Sequence, residues 1–133
     1  MKSRTSKINR ETKETSIRAV VNLDGTGKTS IQTGISFLDH LIISFAKHSM
    51  IDLTVKAKSL DNIEHHLIED VGIAIGAAID KALGNRSGIT RFSFASVPMD
   101  LIDGFVGLIG NFFIENLPSG LYRDLLVLSL IHI

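Results

Sequence analysis

The spacing of apolar residues changes along the first hundred positions, and this change limits the fold more than any other feature. Residues 15–23 and 51–57 place apolar and β-branched side chains at roughly alternate positions, which is the period of a strand. Residues 64–83 instead repeat apolar side chains every three or four positions, which is the period of a helix. These are Leu67, Val71, Ile75, Ala78, Ile79 and Leu83. The chain must therefore combine a sheet with helices.

Turn signals extend the predicted sheet. Asp24-Gly25 follows the first strand and predicts a hairpin, with residues 28–33 as its return strand. Residues 90–97 have the composition of a further strand.

Helix boundaries can also be predicted from the sequence. Ser36, followed three positions later by Asp39, is a variant of the capping box and predicts a helix over residues 36–49. Gly84 is a suitable residue to end the second helix, over residues 64–83.

The predicted order is ββαβα followed by one more strand. It favours an α+β two-layer sandwich in which both helices cover one face of a mixed sheet. Residues 1–97 are expected to form this unit. Residues 98–133 are expected to begin a second, divergent half. From about Leu101 the sequence lacks a clear period of either kind, and we place no element there.

Composition excludes several classes of protein. Lys plus Arg and Asp plus Glu each number 14, so no basic excess indicates nucleic acid. Cys is absent, which excludes disulfides and thiolate metal sites and agrees with a cytoplasmic location. The polar first fifteen residues and the lack of an 18-residue apolar run indicate neither a secretion signal nor a membrane span.

Histidine and carboxylate residues concentrate at the start of the second helix. His65 and His66 lie four and three positions before Glu69, so both imidazoles can approach that carboxylate. Nitrogen and oxygen ligands without sulfur suit manganese, iron or zinc. The spacing leaves a second interpretation open, in which these side chains are a solvated polar helix start.

Three further polar residues have ordinary explanations as well as chemical ones. His40 and His48 share the first helix and can be ligands, or simply packed or surface residues. Glu14, at the start of the first strand, can act as an acid or base, or be an exposed strand residue.

Eight short motifs occur in one order over about residues 9–100. They are Thr-Lys-Glu-Thr at 12–15, Asp-Gly-Thr-Gly at 24–27, Thr-Gly-Ile at 33–35, Phe-Leu-Asp-His at 37–40, Ala-Lys-His at 46–48, His-His-Leu-Ile-Glu-Asp at 65–70, Gly-Ile-Thr-Arg-Phe at 88–92 and Pro-Met-Asp at 98–100. Their order and spacing closely resemble the first half of imidazoleglycerol-phosphate dehydratases.

The resemblance implies a fold and an activity. That family is built from two similar halves of the ribosomal protein S5 domain 2-like type. Its members are hydro-lyases of histidine biosynthesis, which remove water from imidazole glycerol phosphate with two manganese ions. They form large symmetric homo-oligomers in the cytoplasm, with the active site between chains.

The resemblance also assigns roles to residues. His40, His65, His66 and Glu69 match metal ligands, here for Mn²⁺. Glu14 matches the carboxylate that transfers a proton at the substrate, and His48 and Arg91 match groups that contact the substrate phosphate. Arg suits phosphate because its planar fork matches the phosphate oxygens.

The chain departs from the family pattern at several points. Ser44 stands where the family usually has Gln, and residues 58–64 are one position shorter than usual. No second His-His-x-x-Glu segment follows Asp100, which leaves an incomplete ligand set for two ions. We therefore expect this chain alone to be inactive. A non-catalytic half-length remnant and an unrelated metal-binding module are the other possibilities left open.

The last residues have two possible origins. Residues 128–133 can be encoded by the constant transposon end of sequencing libraries, and a frameshift near Asp100 can account for residues 101–127. The rival explanation is a natural strand at residues 130–133. We favour the artefact and so expect no role for His132.

Overall fold

The computed structural model describes residues 3–86 and residue 89. It contains, in chain order, β1 (Thr5–Glu11), β2 (Thr15–Asn22), β3 (Thr29–Gln32), α1 (Ser36–Ser49), β4 (Asp52–Ser59) and α2 (Glu64–Leu83). These elements belong to one compact unit that ends at Asn85. Both helices have the predicted bounds.

The four strands form one mixed sheet in the order β1-β2-β4-β3. β1 pairs with β2 and β2 with β4 in antiparallel fashion, whereas β3 pairs with β4 in parallel. In β2 and the first half of β4, the side chains of one face are almost fully buried, while those between them are more exposed. The buried ones are Thr15, Ile17, Ala19, Val21, Leu53 and Val55. The predicted α+β class with a mixed sheet is confirmed.

The hairpin predicted at Asp24-Gly25 is wrong, because β3 pairs with β4 and not with β2. The loop between β2 and β3 instead folds across the start of β4, where the Asp52 carboxylate accepts the N–H groups of Thr26 and Lys28 at 2.8 and 2.9 Å. β3 consequently reaches the outer edge beyond β4.

β1 was not predicted from the sequence. This edge strand has only one buried residue, Ser6, and alternates exposed with half-buried positions. Its outward side chains are polar, so the apolar alternation that indicates a strand is missing. Long-range pairing with β2 holds it in place, and the Ser6 hydroxyl donates to the carbonyl of Ala78 in α2.

α2 lies close to the sheet through small side chains. Its buried stripe includes Gly72, Ala74, Gly76 and Ala78, alongside the larger Val71 and Ile75. Bulky residues at these positions would hold the helix further from β1 and β2. Gly84 ends the helix with a positive φ of 61°, as predicted for a glycine at this position.

The start of α1 differs from the predicted capping box. Ile35 is the N-cap residue, and among the residues described no side chain caps this end. The Asp39 carboxylate instead accepts the N–H and the hydroxyl of Thr33, at 2.9 and 2.6 Å. Asp39 thus ties the helix to the preceding loop. Ser36 is already the first residue of the helix, so it is not the N-cap residue.

Some sequence predictions lie outside the described residues. These are the strand at 90–97, the boundary at residue 97, and everything proposed for residues 98–133. Within the described part of the chain, no helix is long and apolar enough to cross a membrane.

Candidate active site

Glu14 lies in the tight turn between β1 and β2. The turn is closed by the Thr12 N–H, which donates to the Thr15 carbonyl at 2.9 Å. The Thr12 hydroxyl accepts the N–H groups of Glu14 and Thr15 at 3.1 and 3.0 Å. The Glu14 carbonyl also accepts the N–H of Leu60 at 2.7 Å. The backbone of Glu14 is therefore fixed, while its carboxylate stays exposed.

Asp61 lies in the short loop between β4 and α2. One carboxylate oxygen, Oδ1, accepts the Ser59 hydroxyl at 3.1 Å and the Ile63 N–H at 2.9 Å. Asn62 between them adopts a positive φ of 61°, a conformation that Asn tolerates better than most residues. These bonds shape the loop that leads into the first turn of α2.

His66 meets Asp61 at the beginning of α2. Its Nδ1 lies 2.6 Å from the second carboxylate oxygen, Oδ2, of Asp61. The His66 ring and two N–H or O–H donors lower the pKa of Asp61 to about 2, with the ring as the largest cause. The Asp61 hydrogen bond raises the pKa of His66, and the charges of Glu14, Asp61 and Glu69 add to this effect.

Glu14, Asp61 and His66 form one cluster. Glu14 Oε2 lies 3.8 Å from His66 Nδ1, and one ligand atom from each residue lies within 4.8 Å of the others. Three elements meet here, because β2 begins, β4 ends and α2 begins at the same end of the sheet. The Thr15–Ser59 pair joins the two strands at that point.

A buried network beneath the cluster fixes this arrangement. Asp70, on α2 and only 6% exposed, accepts the Thr15 hydroxyl at 2.5 Å and the Arg10 guanidinium at 2.8 to 2.9 Å. Arg10 belongs to β1 and Thr15 to β2. The residue after Glu69 thus joins α2 to both strands that flank Glu14.

The remaining predicted site residues do not belong to this cluster. His40 and His48 lie exposed on α1, and His65 and Glu69 lie exposed on α2. The His65 ring contacts the His66 ring edge to face, with centroids 4.3 Å apart. Within residues 3–86 and 89, none of these four joins a close group of three potential ligands. Arg91 lies outside the described residues, and the assigned roles all stay predictions.

Asp61 is the site residue that sequence reasoning missed. Its role depends on the loop between β4 and α2, and no spacing rule relates it to Glu14, 47 positions earlier in the sequence. One local signal existed. Asp followed by Asn just before an apolar helix favours a turn whose carboxylate binds the backbone two residues on.

The donor set fits a manganese ion. Imidazole nitrogen and carboxylate oxygen are ligands that divalent manganese accepts, and no thiolate is present to favour a softer metal. The His66 ring is held through Nδ1 and keeps Nε2 for another bond. An imidazole and a carboxylate with shifted pKa values, beside a second carboxylate, are typical of enzymes that use acid–base or metal-assisted chemistry.

Comparison with known proteins gives the family. The family model for imidazoleglycerol-phosphate dehydratase matches residues 33–106, more than half of the chain. The chain belongs to this family, whose name denotes a hydro-lyase. Relatives of that name include proteins from Acidiphilium cryptum, 50% identical over 84% of this chain, and Bordetella avium, 53% identical over 73%.

The match covers only part of those relatives. The chain spans 59% of the Acidiphilium cryptum protein and 50% of the Bordetella avium protein. A third relative, from Granulibacter bethesdensis, is 52% identical over 82% of this chain and 57% of its own length.

Proposed function

We propose that this chain contributes part of the active site of an imidazoleglycerol-phosphate dehydratase of histidine biosynthesis. The observation that carries the proposal is the cluster at the end of the sheet, where Glu14 approaches His66 to 3.8 Å. From the sequence, Glu14 was selected for proton transfer and His66 for metal binding, although 52 positions separate them.

Manganese would be held by His40, His65, His66 and Glu69, aided by residues that this chain does not supply. When bound, the ion polarises the imidazole ring of the substrate, which makes the adjacent C–H bond easier to break. The exposure of His40, His65 and Glu69 supports binding at a surface.

Glu14 would transfer the proton. Its carboxylate is exposed, so a substrate can reach it, while hydrogen bonds from its own N–H to the Thr12 hydroxyl and from the Leu60 N–H to its carbonyl keep its main chain in place. A carboxylate held in this way can remove the proton and return it to the leaving hydroxyl. His48 and Arg91 would bind the phosphate.

We also propose a large symmetric homo-oligomer in the cytoplasm as the working form. The candidate ligands on α1 and α2 are exposed and do not converge within the described part of the chain. Ligands from neighbouring chains would complete the metal sites.

Turnover of imidazole glycerol phosphate tests this proposal. The 133-residue protein alone should show none, because its ligand set is incomplete. A chimera with residues 1–97 of this chain, followed by the remainder of the Acidiphilium cryptum relative, should be active with manganese. In the chimera, Glu14→Gln should lower kcat by roughly 10²- to 10⁴-fold, the usual contribution of a positioned acid or base.

Glu11→Gln is the matched control. Glu11 is an exposed carboxylate on β1, three positions before Glu14, and its substitution by Gln removes the same charge. Its kcat should stay close to that of the unsubstituted chimera. A folded chimera without activity would favour the half-length remnant, and equal effects of the two substitutions would remove Glu14 from the chemistry.

A further inference from the structure

We propose that Asp61 is a positioning residue that holds the proton of His66 on Nδ1 and so presents Nε2 as the metal-binding nitrogen. The metal part of this inference rests on the proposed function. The hydrogen-bond part rests on contacts within the described chain alone.

The two oxygens of Asp61 have different partners. Oδ1 accepts the Ser59 hydroxyl and the Ile63 N–H, and these bonds hold the loop. Oδ2 faces His66 Nδ1 at 2.6 Å. Ser59 is the last residue of β4 and pairs with Thr15 of β2. Through Asp61, the His66 imidazole is therefore held in position by the sheet as well as by its own helix.

The location of the proton follows from the chemistry of the pair. An Asp side chain is ordinarily ionised near neutral pH, and a carboxylate can only accept hydrogen bonds. At 2.6 Å from that oxygen, Nδ1 must donate. A neutral imidazole that donates from Nδ1 has its lone pair on Nε2, and metal ligation requires such a lone pair. Carboxylates that accept from the distal nitrogen of a metal-binding His orient the ring and increase its basicity.

The hydrogen bond between Asp61 and His66 also leaves the Glu14 carboxylate available for the substrate. The charged groups that act on the His66 ring are Glu14, Asp61 and Glu69. Glu14 Oε2 lies 3.8 Å from His66 Nδ1, the same atom that is hydrogen-bonded to Asp61. Since Nδ1 of a neutral ring carries a single proton, its bond to Asp61 leaves the Glu14 carboxylate free for the substrate.

Asp61→Asn provides a sharp test, because it changes one contact and keeps the others. The amide oxygen of the new side chain can still accept from Ser59 and Ile63, so the loop should remain. The amide nitrogen then faces His66 and donates, and Nδ1 must become the acceptor. The neutral ring should therefore carry its proton on Nε2.

Nitrogen-15 NMR of the His side chains, recorded on the 133-residue protein at a pH above the pKa of His66, shows which ring nitrogen carries the proton. The unsubstituted protein should show His66 protonated on Nδ1, and Asp61→Asn should show it protonated on Nε2. Glu64→Gln is the matched control. It makes the same carboxylate-to-amide change on an exposed neighbour of His65 and should leave the His66 spectrum unchanged. Protonation of His66 on Nε2 in the unsubstituted protein, or the same tautomer in both proteins, would overturn the proposal.

Mn²⁺ titration of the same proteins tests the metal part. Asp61→Asn should weaken binding by roughly 10- to 100-fold, as is usual for partners of metal-binding His residues, whereas Glu64→Gln should change it little. Equal affinities despite the reversed tautomer would overturn the metal part. If a His65→Ala/His66→Ala protein binds Mn²⁺ as well as the unsubstituted one, the proposed function loses its metal assignment, and the tautomer result still decides the hydrogen-bond part.

Discussion

Asp70 shows how much of this site depends on a single buried carboxylate. It joins α2 to Arg10 of β1 and Thr15 of β2, and a weaker contact of 3.5 Å joins it to the Thr12 hydroxyl. Thr12 and Thr15 lie on either side of Glu14 in the turn, so Asp70 fixes the turn that carries Glu14, the residue proposed to transfer the proton.

Asp70→Asn should therefore lower the free energy of unfolding by about 2 kcal/mol, because it removes the charge of a buried carboxylate that accepts hydrogen bonds from Arg10 and Thr15. Urea unfolding followed by circular dichroism measures this loss. Asp24→Asn is the control, because Asp24 forms an exposed ion pair with Arg4 that should contribute little. Similar losses in the two proteins would show that the Asp70 network is not a main source of stability.

Sequence and structure agree unevenly at the residue scale. Glu14, His65, His66 and Glu69 were selected from motifs, and the structure places Glu14 near His66. Asp61 could not be selected, because its partners depend on the path of the loop after β4. Single side chains can be chosen from residue type and spacing, but a contact between distant segments requires the fold.

The loop between β2 and β3 determines the topology at the scale of elements. Gly25 lies so close to β4 that a Cβ atom there would overlap the backbone nitrogen of Asp52 and lie 2.5 Å from its Cγ. Only glycine allows this approach, and it lets Asp52 bind the Thr26 and Lys28 N–H groups. β3 is directed to the far edge of the sheet as a result.

Gly25→Ala should destabilise the protein by about 2 kcal/mol or more, because the added methyl group overlaps backbone atoms that cannot move freely. Gly84→Ala is a useful comparison. Gly84 has a positive φ but no atom within 4 Å of its Cβ position, so Gly84→Ala should cost only backbone strain, about 1–3 kcal/mol. Urea unfolding measures both losses, and a Gly25→Ala protein as stable as the unsubstituted one would contradict this account of the loop.

Asp52 adds a pH dependence to the same loop. The Thr26 and Lys28 N–H groups lower the pKa of Asp52 below its ordinary value of 3.8. A carboxyl whose pKa is lowered by folding stabilises the protein above its ordinary pKa, and the contribution is lost as the pH falls through the lowered value. The stability difference between the unsubstituted protein and Asp52→Asn should thus be larger at pH 7 than in acid. Urea titrations at several pH values measure it, and a constant difference would refute the assignment.

Elements with a local signal were predicted well. Both helices were predicted from signals within their own residues, the first from Ser36 and Asp39 and the second from its apolar period, and their bounds match. The partner of β3 and the existence of β1 depend on contacts far along the chain, and neither is contained in a short window of sequence. The hairpin signal at Asp24-Gly25 was real as a turn signal but gave the wrong partner strand.

At the scale of the whole molecule, the described part of the chain is a folded unit that carries one cluster of potential ligands. It spans 59% or less of the relatives from Acidiphilium cryptum and Bordetella avium. The cluster of Glu14, Asp61 and His66 is assembled within the described unit, whereas the other candidate ligands are exposed and do not belong to this cluster. This arrangement agrees with the proposal that neighbouring chains complete the metal sites.

Isothermal titration of the 133-residue protein with Mn²⁺ tests the central claim most directly. We expect weak binding, because the ligand set is incomplete, and we expect it to disappear in the His65→Ala/His66→Ala protein. His48→Ala, which removes an exposed imidazole assigned to phosphate, should bind Mn²⁺ as the unsubstituted protein does. Tight binding that survives the double substitution would contradict the assignment of these histidines to the metal.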